Sequence, residues 1–138
     1  MFDHCLYFNT SALARRLERE WADAFEPFDL TPPQGFMLRA IIGRPGMLQR
    51  ELSEQMSIAR PTATRAMDGL EAKGFIERRR TADDGRGVSV FPTRKAIGIK
   101  VALNGASNAV TAKLKATLGN AEFADTVTKV RGAREALT

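Results

Sequence analysis

One cysteine and one histidine stand among 138 residues. A lone cysteine closes no internal disulfide, and with one histidine it falls short of a closed zinc site. Nowhere do apolar residues run for the roughly 18–20 positions that a membrane-spanning helix needs. The opening Met1-Phe2-Asp3-His4-Cys5 puts an acid where a secretion signal carries Lys or Arg. These absences lead to the expectation of a soluble, cytoplasmic chain in a reducing compartment, with no cofactor, metal or membrane partner. No nucleophile is paired with a base, and no glycine-rich phosphate loop follows a strand. An enzyme therefore has little support.

What is present is enough for one core. The mass is 15.2 kDa, 43% of residues are apolar and 27% are charged, which suits a single folded domain. The formal net charge is +5, and its placement matters more than its size. Residues 59–100 hold ten basic and five acidic side chains, giving +5, whereas the remainder holds 11 of each. All of the excess sits in one central block. A polyanion is the natural partner for such a block, with a plain solvated basic face as the simpler reading.

The apolar spacing divides the chain into short elements. Leu6, Leu13, Leu17, Trp21 and Phe25 form a helical stripe over 5–26, which Glu26-Pro-Phe-Asp-Leu30 breaks. Thr31-Pro-Pro-Gln34 then supplies an N-cap, a proline in the first turn and a capping-box glutamine. This second helix ends at Gly43-Arg-Pro-Gly46. A short helix with Leu48, Leu52 and Met56 follows, then a tight link, then a helix from Arg60-Pro61 to Lys73-Gly74 that turns Ala63, Ala66, Met67 and Leu70 inward. That pair is a helix-turn-helix. Residues 75–80 and 88–91 read as strands joined by Asp83-Asp84-Gly85-Arg86-Gly87, a basic-tipped hairpin or wing. Thr93 can cap a long helix to about Leu118, weakened in its middle by Gly98, Asn104 and Gly105. Asn120 can cap a last helix carrying Phe123, Val127 and Val130. No internal repeat or interdomain linker is visible.

The expected fold is mainly α with a small β-hairpin wing. It divides into an N-terminal dimerisation helix (1–30), a winged helix-turn-helix DNA-binding region (31–93) and C-terminal dimerisation helices (94–138). A winged helix needs only about 60–70 residues, so the terminal helices need other cover for their apolar stripes. A two-fold dimer supplies it, and places two recognition helices to read a palindrome in double-stranded DNA. Packing of those helices back on their own winged helix is the alternative.

Gln49-Arg-Glu-Leu-Ser53, Ile58-Ala-Arg-Pro-Thr-Ala-Thr-Arg65, Leu70-Glu-Ala-Lys-Gly-Phe-Ile-Glu-Arg78 and the wing's Asp84-Gly-Arg86 are the residues through which the chain resembles the MarR family of bacterial transcriptional regulators. The order of elements is similar over nearly the whole length. The resemblance implies a homodimeric repressor, released from a pseudo-palindromic operator by a small ligand or an oxidant. One departure is Pro92-Thr93 at the wing's exit, where the family usually has Leu-Thr. Proline donates no ladder bond, so this strand should end a residue early or lie on an edge.

On the recognition helix the outward face presents Arg60, Pro61, Thr64, Arg65 and Asp68. Arg65 can fork onto both acceptors of a guanine. Thr62 and Thr64 suit a phosphate or a thymine methyl, and Arg60 suits a phosphate at the groove edge. In the wing, Arg80 is assigned to phosphate, while for Arg78 and Arg79 a salt bridge within the wing is the preferred reading. The resemblance further implies that Arg86 enters the minor groove and that Asp84 holds the wing's shape, and a narrow minor groove does attract a guanidinium.

Trp21, Phe25, Phe28 and Phe36 could line a pocket for the small aromatic effectors that the family commonly binds, although aromatic stripes are more often plain core. Cys5 sits where some family members carry a redox-sensing cysteine near the start of the first helix. The tyrosines that support such a sensor are missing, since Pro32 takes one of their places and Tyr7 is the chain's only tyrosine. An ordinary, partly buried cysteine is the preferred reading. The runner-up function is a winged-helix module for protein contacts, with only sequence-indifferent affinity for DNA.

Overall fold

The computed structural model describes residues 1–80 and 87–138. Among the described residues, six helices and three strands follow one another as α1 (Leu6–Phe25), α2 (Pro32–Gly43), β1 (Met47–Leu48), α3 (Gln49–Met56), α4 (Arg60–Ala72), β2 (Ile76–Arg80), β3 (Val88–Pro92), α5 (Arg94–Leu118) and α6 (Asn120–Ala136). A 3-10 turn at Glu26–Phe28 breaks the chain after α1, and Asp29 leaves it in the left-handed region at φ 57°.

At α2, α4 and α5 the capping residues act as the sequence predicts. Thr31 and Gln34 form a reciprocal capping box at α2, and the Thr93 hydroxyl accepts from the Ala96 amide at α5. Gly74, at φ +81°, turns the chain from α4 into β2, a conformation open to glycine at no steric cost.

The wing is larger than a hairpin. Its sheet has the order β1-β3-β2, so Met47 and Leu48 pair with Val90 and Ser89 and make β3 the central strand. Leu48, expected on the helix that follows, therefore belongs to a strand. Pro92 ends β3 opposite Ile76 instead of lying on an edge. Thr93 donates its amide to the Phe75 carbonyl at 3.0 Å. Antiparallel alternation then turns the Pro92 nitrogen to the other side, beyond the end of the two-residue β1, where no ladder bond is lost.

Helix α5 runs over the expected length, to Leu118, and stays unbroken for 25 residues through Gly98, Asn104 and Gly105. Asn104 is held from outside its own helix, because Arg39 Nε donates to its Oδ1 at 2.8 Å. At α6 the cap position is Gly119, and Asn120 is already helical.

One buried cluster joins Phe25 of α1, Met37, Leu38 and Ile41 of α2, Leu52 of α3, Met67 and Leu70 of α4, Val90 of β3 and Leu103 of α5. The core thus crosses residues 30/31 and 93/94, binding the first half of α5 and the end of α1 to the winged helix. Helix α6 buries no residue at all.

Candidate nucleic-acid interface

Helix α4 sits on this core by Ala63, Ala66, Met67 and Leu70, each at most 6% exposed. The period of 3.6 residues then fixes what faces outward. Arg60, Pro61, Thr64, Arg65 and Asp68 are exposed and Thr62 is half-buried. Ser57, at φ 53°, makes the tight turn that sets α4 against α3. No side chain caps α4, and Pro61 occupies its first turn, so that end presents few competing groups.

The outward residues differ in what they can still do. Arg60 and Arg65 form no ion pair among the described residues and keep their guanidinium groups available. The Thr64 hydroxyl donates to the Arg60 carbonyl at 3.0 Å, which commits its proton within the helix. The Asp68 carboxylate is taken: Arg78 Nη2 donates to its Oδ1 at 2.7 Å.

An open groove of about 510 Å³ between α3 and α4 is walled by Gln49, Arg50, Ser53, Glu54, Ile58, Arg60 and Thr64. Gln49, Arg50 and Ser53 were not among the contact residues read from the sequence. The signal was available in the Gln49-Arg50 start of a helix without a side-chain cap, where unpaired backbone amides and a guanidinium favour an anion.

In the wing, strand alternation separates three consecutive arginines. Arg79 pairs with Glu77 at 2.9 Å within β2, and its guanidinium lies 4.5 Å from the Phe91 ring centre. Arg78 also forms salt bridges, but with α4 instead of within the wing. Arg80 is exposed and has no ion pair among the described residues. Asp84 and Arg86 lie outside the described residues.

Of the four aromatics expected to form a pocket, two line an open cleft. Trp21 and Phe36 stand 5.9 Å apart on a cleft of about 640 Å³ that also includes Pro32, Pro33, Met56 and Ile58. Phe25 is fully buried behind Phe36, at 5.7 Å, and Phe28 packs against the core, so neither forms its wall. Next to the cleft, Ser107 Oγ accepts from Trp21 Nε1 at 3.0 Å and from Arg39 Nη1 at 2.9 Å. Burial lowers the pKa of Arg39, which shares these neutral partners and lies over the Phe36 ring. Through them α1, α2 and α5 are tied together. Cys5 is exposed, which corrects the expectation of partial burial. It lies ahead of the first turn of α1, where its Sγ accepts from the Phe8 amide at 3.5 Å. Tyr7 is 81% exposed.

Among the described residues, no helix is long and apolar enough to cross a membrane, and no group of His, Cys, Asp or Glu is placed to hold a metal. A helix-turn-helix joined to a three-stranded wing and flanked by long terminal helices is the architecture of a winged-helix transcriptional regulator.

Comparison with known proteins makes this specific. The family model of the MarR family matches residues 28–87. The solved transcriptional regulator SlyA superposes with a TM-score of 0.85 at 22% identity, covering 96% of this chain and 94% of that one. A MarR family transcriptional regulator from Listeria monocytogenes, solved in complex with a 26mer DNA, gives a TM-score of 0.83 at 22% identity, covering 96% and 88%. In sequence, the uncharacterized HTH-type transcriptional regulator YybA of Bacillus subtilis (strain 168) is 35% identical over 83 residues, 60% of this chain and 55% of that protein. The chain spans about half the length of the curated relatives it matches. The family model thus matches the winged-helix region and the solved regulators share the fold over nearly the whole length, so the chain resembles the MarR family.

Proposed function

We propose that this chain is a sequence-specific double-stranded DNA-binding regulator. It acts as a homodimeric repressor in the cytoplasm on a pseudo-palindromic operator, and a small effector releases it. The observation that carries the reading is the two-faced α4: its buried stripe is locked into the core while Arg60 and Arg65 are exposed on the opposite side, with no ion pair among the described residues. A helix presented in this way fits the major groove, with Arg65 on a guanine edge and Arg60, Arg50 and Arg80 on phosphates.

Dimerisation is supported by apolar surface at the termini. Leu6, Leu13, Leu118, Val127 and Val130 are each 45% exposed or more. A further cleft of about 300 Å³, walled by Leu13, Leu17, Leu114, Leu118, Phe123 and Val127, opens between α1, α5 and α6. Such a surface calls for a partner, and a second copy also duplicates the recognition helix. For release, the Trp21–Phe36 cleft suits a small aromatic effector, since it lies between α1, α2 and the end of α3. Binding there would shift the spacing of the two recognition helices. Cys5 is assigned no sensing role.

Arg65→Ala is expected to cost about 1–3 kcal/mol on the specific site and to relax preference at one base pair. Affinities measured on the operator and on its single-base variants check this. An equal loss on every sequence would remove Arg65 from base reading. Weak binding that is indifferent to sequence would favour a protein-contact module.

A further inference from the structure

Two acids on the recognition helix face the same way as its DNA-directed arginines, yet neither is free. Arg78, at the middle of β2 opposite Val90, reaches across to α4. Its Nη2 donates to Asp68 Oδ1 at 2.7 Å and to Glu71 Oε1 at 2.9 Å, and its Nε donates to Glu71 Oε2 at 3.3 Å. The contact to Glu71 is a two-point fork, which fixes orientation as well as distance. The Arg78 side chain is only 20% exposed. The hydrogen bond from Arg78 and its charge hold the Glu71 carboxyl below the usual carboxylate range.

We infer that Arg78 is a positioning residue for DNA recognition: it clamps the recognition helix to the root of the wing through Asp68 and Glu71. The inference rests on the DNA-binding reading above. Asp68 and Glu71 lie three residues apart, on adjoining turns of one helix face. One guanidinium holding both fixes the rotation of α4 about its own axis relative to β2. That rotation decides where Arg65 points. A side chain of its length, rotated by a fraction of a turn, misses a base edge by more than a hydrogen bond tolerates. The clamp also adds a polar tie between two reading parts, helix and wing, that share the apolar core through Met67, Leu70 and Val90. On this account Asp68 serves recognition without touching DNA.

The test uses Asp68→Asn/Glu71→Gln in the full chain, together with Arg78→Lys. Coulomb's law alone makes the double variant a better DNA binder on every sequence, because it gains two positive units of net charge next to phosphates. The clamp predicts the opposite sign on the specific site. The probe is a duplex selected by the wild-type chain from random-sequence DNA, with a scrambled duplex as control. A fall of tenfold or more on the selected duplex, with no fall on the scrambled one, is the expected result. Arg78→Lys, which keeps the charge but loses the fork, should fall in the same direction. Equal or tighter binding of the double variant to the selected duplex would overturn the clamp. Amide exchange without DNA gives a second readout: faster exchange over residues 68–73 in both variants is expected, and unchanged protection there overturns the proposal. Should the wild type select no sequence, the DNA reading fails, and the exchange measurement still decides the clamp.

Discussion

Gly35 shows how far a single position can be fixed by what lies against it. A Cβ built there would collide with the Phe25 ring, which is fully buried at the end of α1. Neither can move aside without opening the core. Gly35→Ala is expected to cost about 1–3 kcal/mol through overpacking, measured as a lower urea midpoint at unchanged slope. Glu71 gives a pH-dependent prediction. Its native pKa is lowered, first by the hydrogen bond from Arg78 and then by that residue's charge. Its contribution to stability is therefore complete above the unfolded value of about 4.3, and fades as pH falls through the lower native pKa. Wild type should exceed Glu71→Gln in melting temperature near neutral pH, and the gap should close on acidification towards about pH 2. A gap that widens on acidification would contradict the assignment. Single residues also mark the limit of reading from sequence. The stripe Ala63, Ala66, Met67 and Leu70 was legible because its period names its face. The partners of Asp68 and Asn104 were not, since Arg78 and Arg39 reach them from other elements, 10 and 65 residues away.

Among the elements, those that declare their own ends were the most legible. Helix α2 carries its start in Thr31-Pro-Pro-Gln34, and α4 its end in Gly74. Strand β1 declares nothing. Two residues show no alternation, and Met47 and Leu48 become a strand only because β3 runs beside them. The same pairing explains Pro92, whose nitrogen points past the end of so short a neighbour. Helix α5 spans the length read from the sequence, although its two glycines and Asn104 lower helix propensity by about 1 kcal/mol or less each. Packing on α1 and α2, with Ser107 and Asn104 receiving Trp21 and Arg39, overrides so small a preference. Helix α6 is the element whose own chain covers it least. Val127→Asp on this exposed face is expected to leave the monomer folded and to shift a dimer towards monomer. Sedimentation velocity at micromolar concentration reads the change, and an unchanged dimer would place the two-fold interface elsewhere.

For the whole molecule, charge and core divide the work. The excess positive charge lies within residues 59–100, which include α4 and both long strands of the wing. The core does not respect that division, since Phe25 and Leu103 enter it from the flanking helices. Movement of the terminal helices is therefore felt at the base of the winged helix, and a ligand between Trp21 and Phe36 would act at that junction. The most direct test of DNA recognition is a fluorescence-anisotropy titration of the full chain, at several salt concentrations. The probes are the DNA upstream of its own gene and a scrambled duplex of equal length. Saturable binding to the upstream DNA, at least about a hundredfold tighter than to the scrambled duplex, is the predicted result. Equal binding to both, falling steeply and alike with salt, would contradict it and leave only the basic block at work.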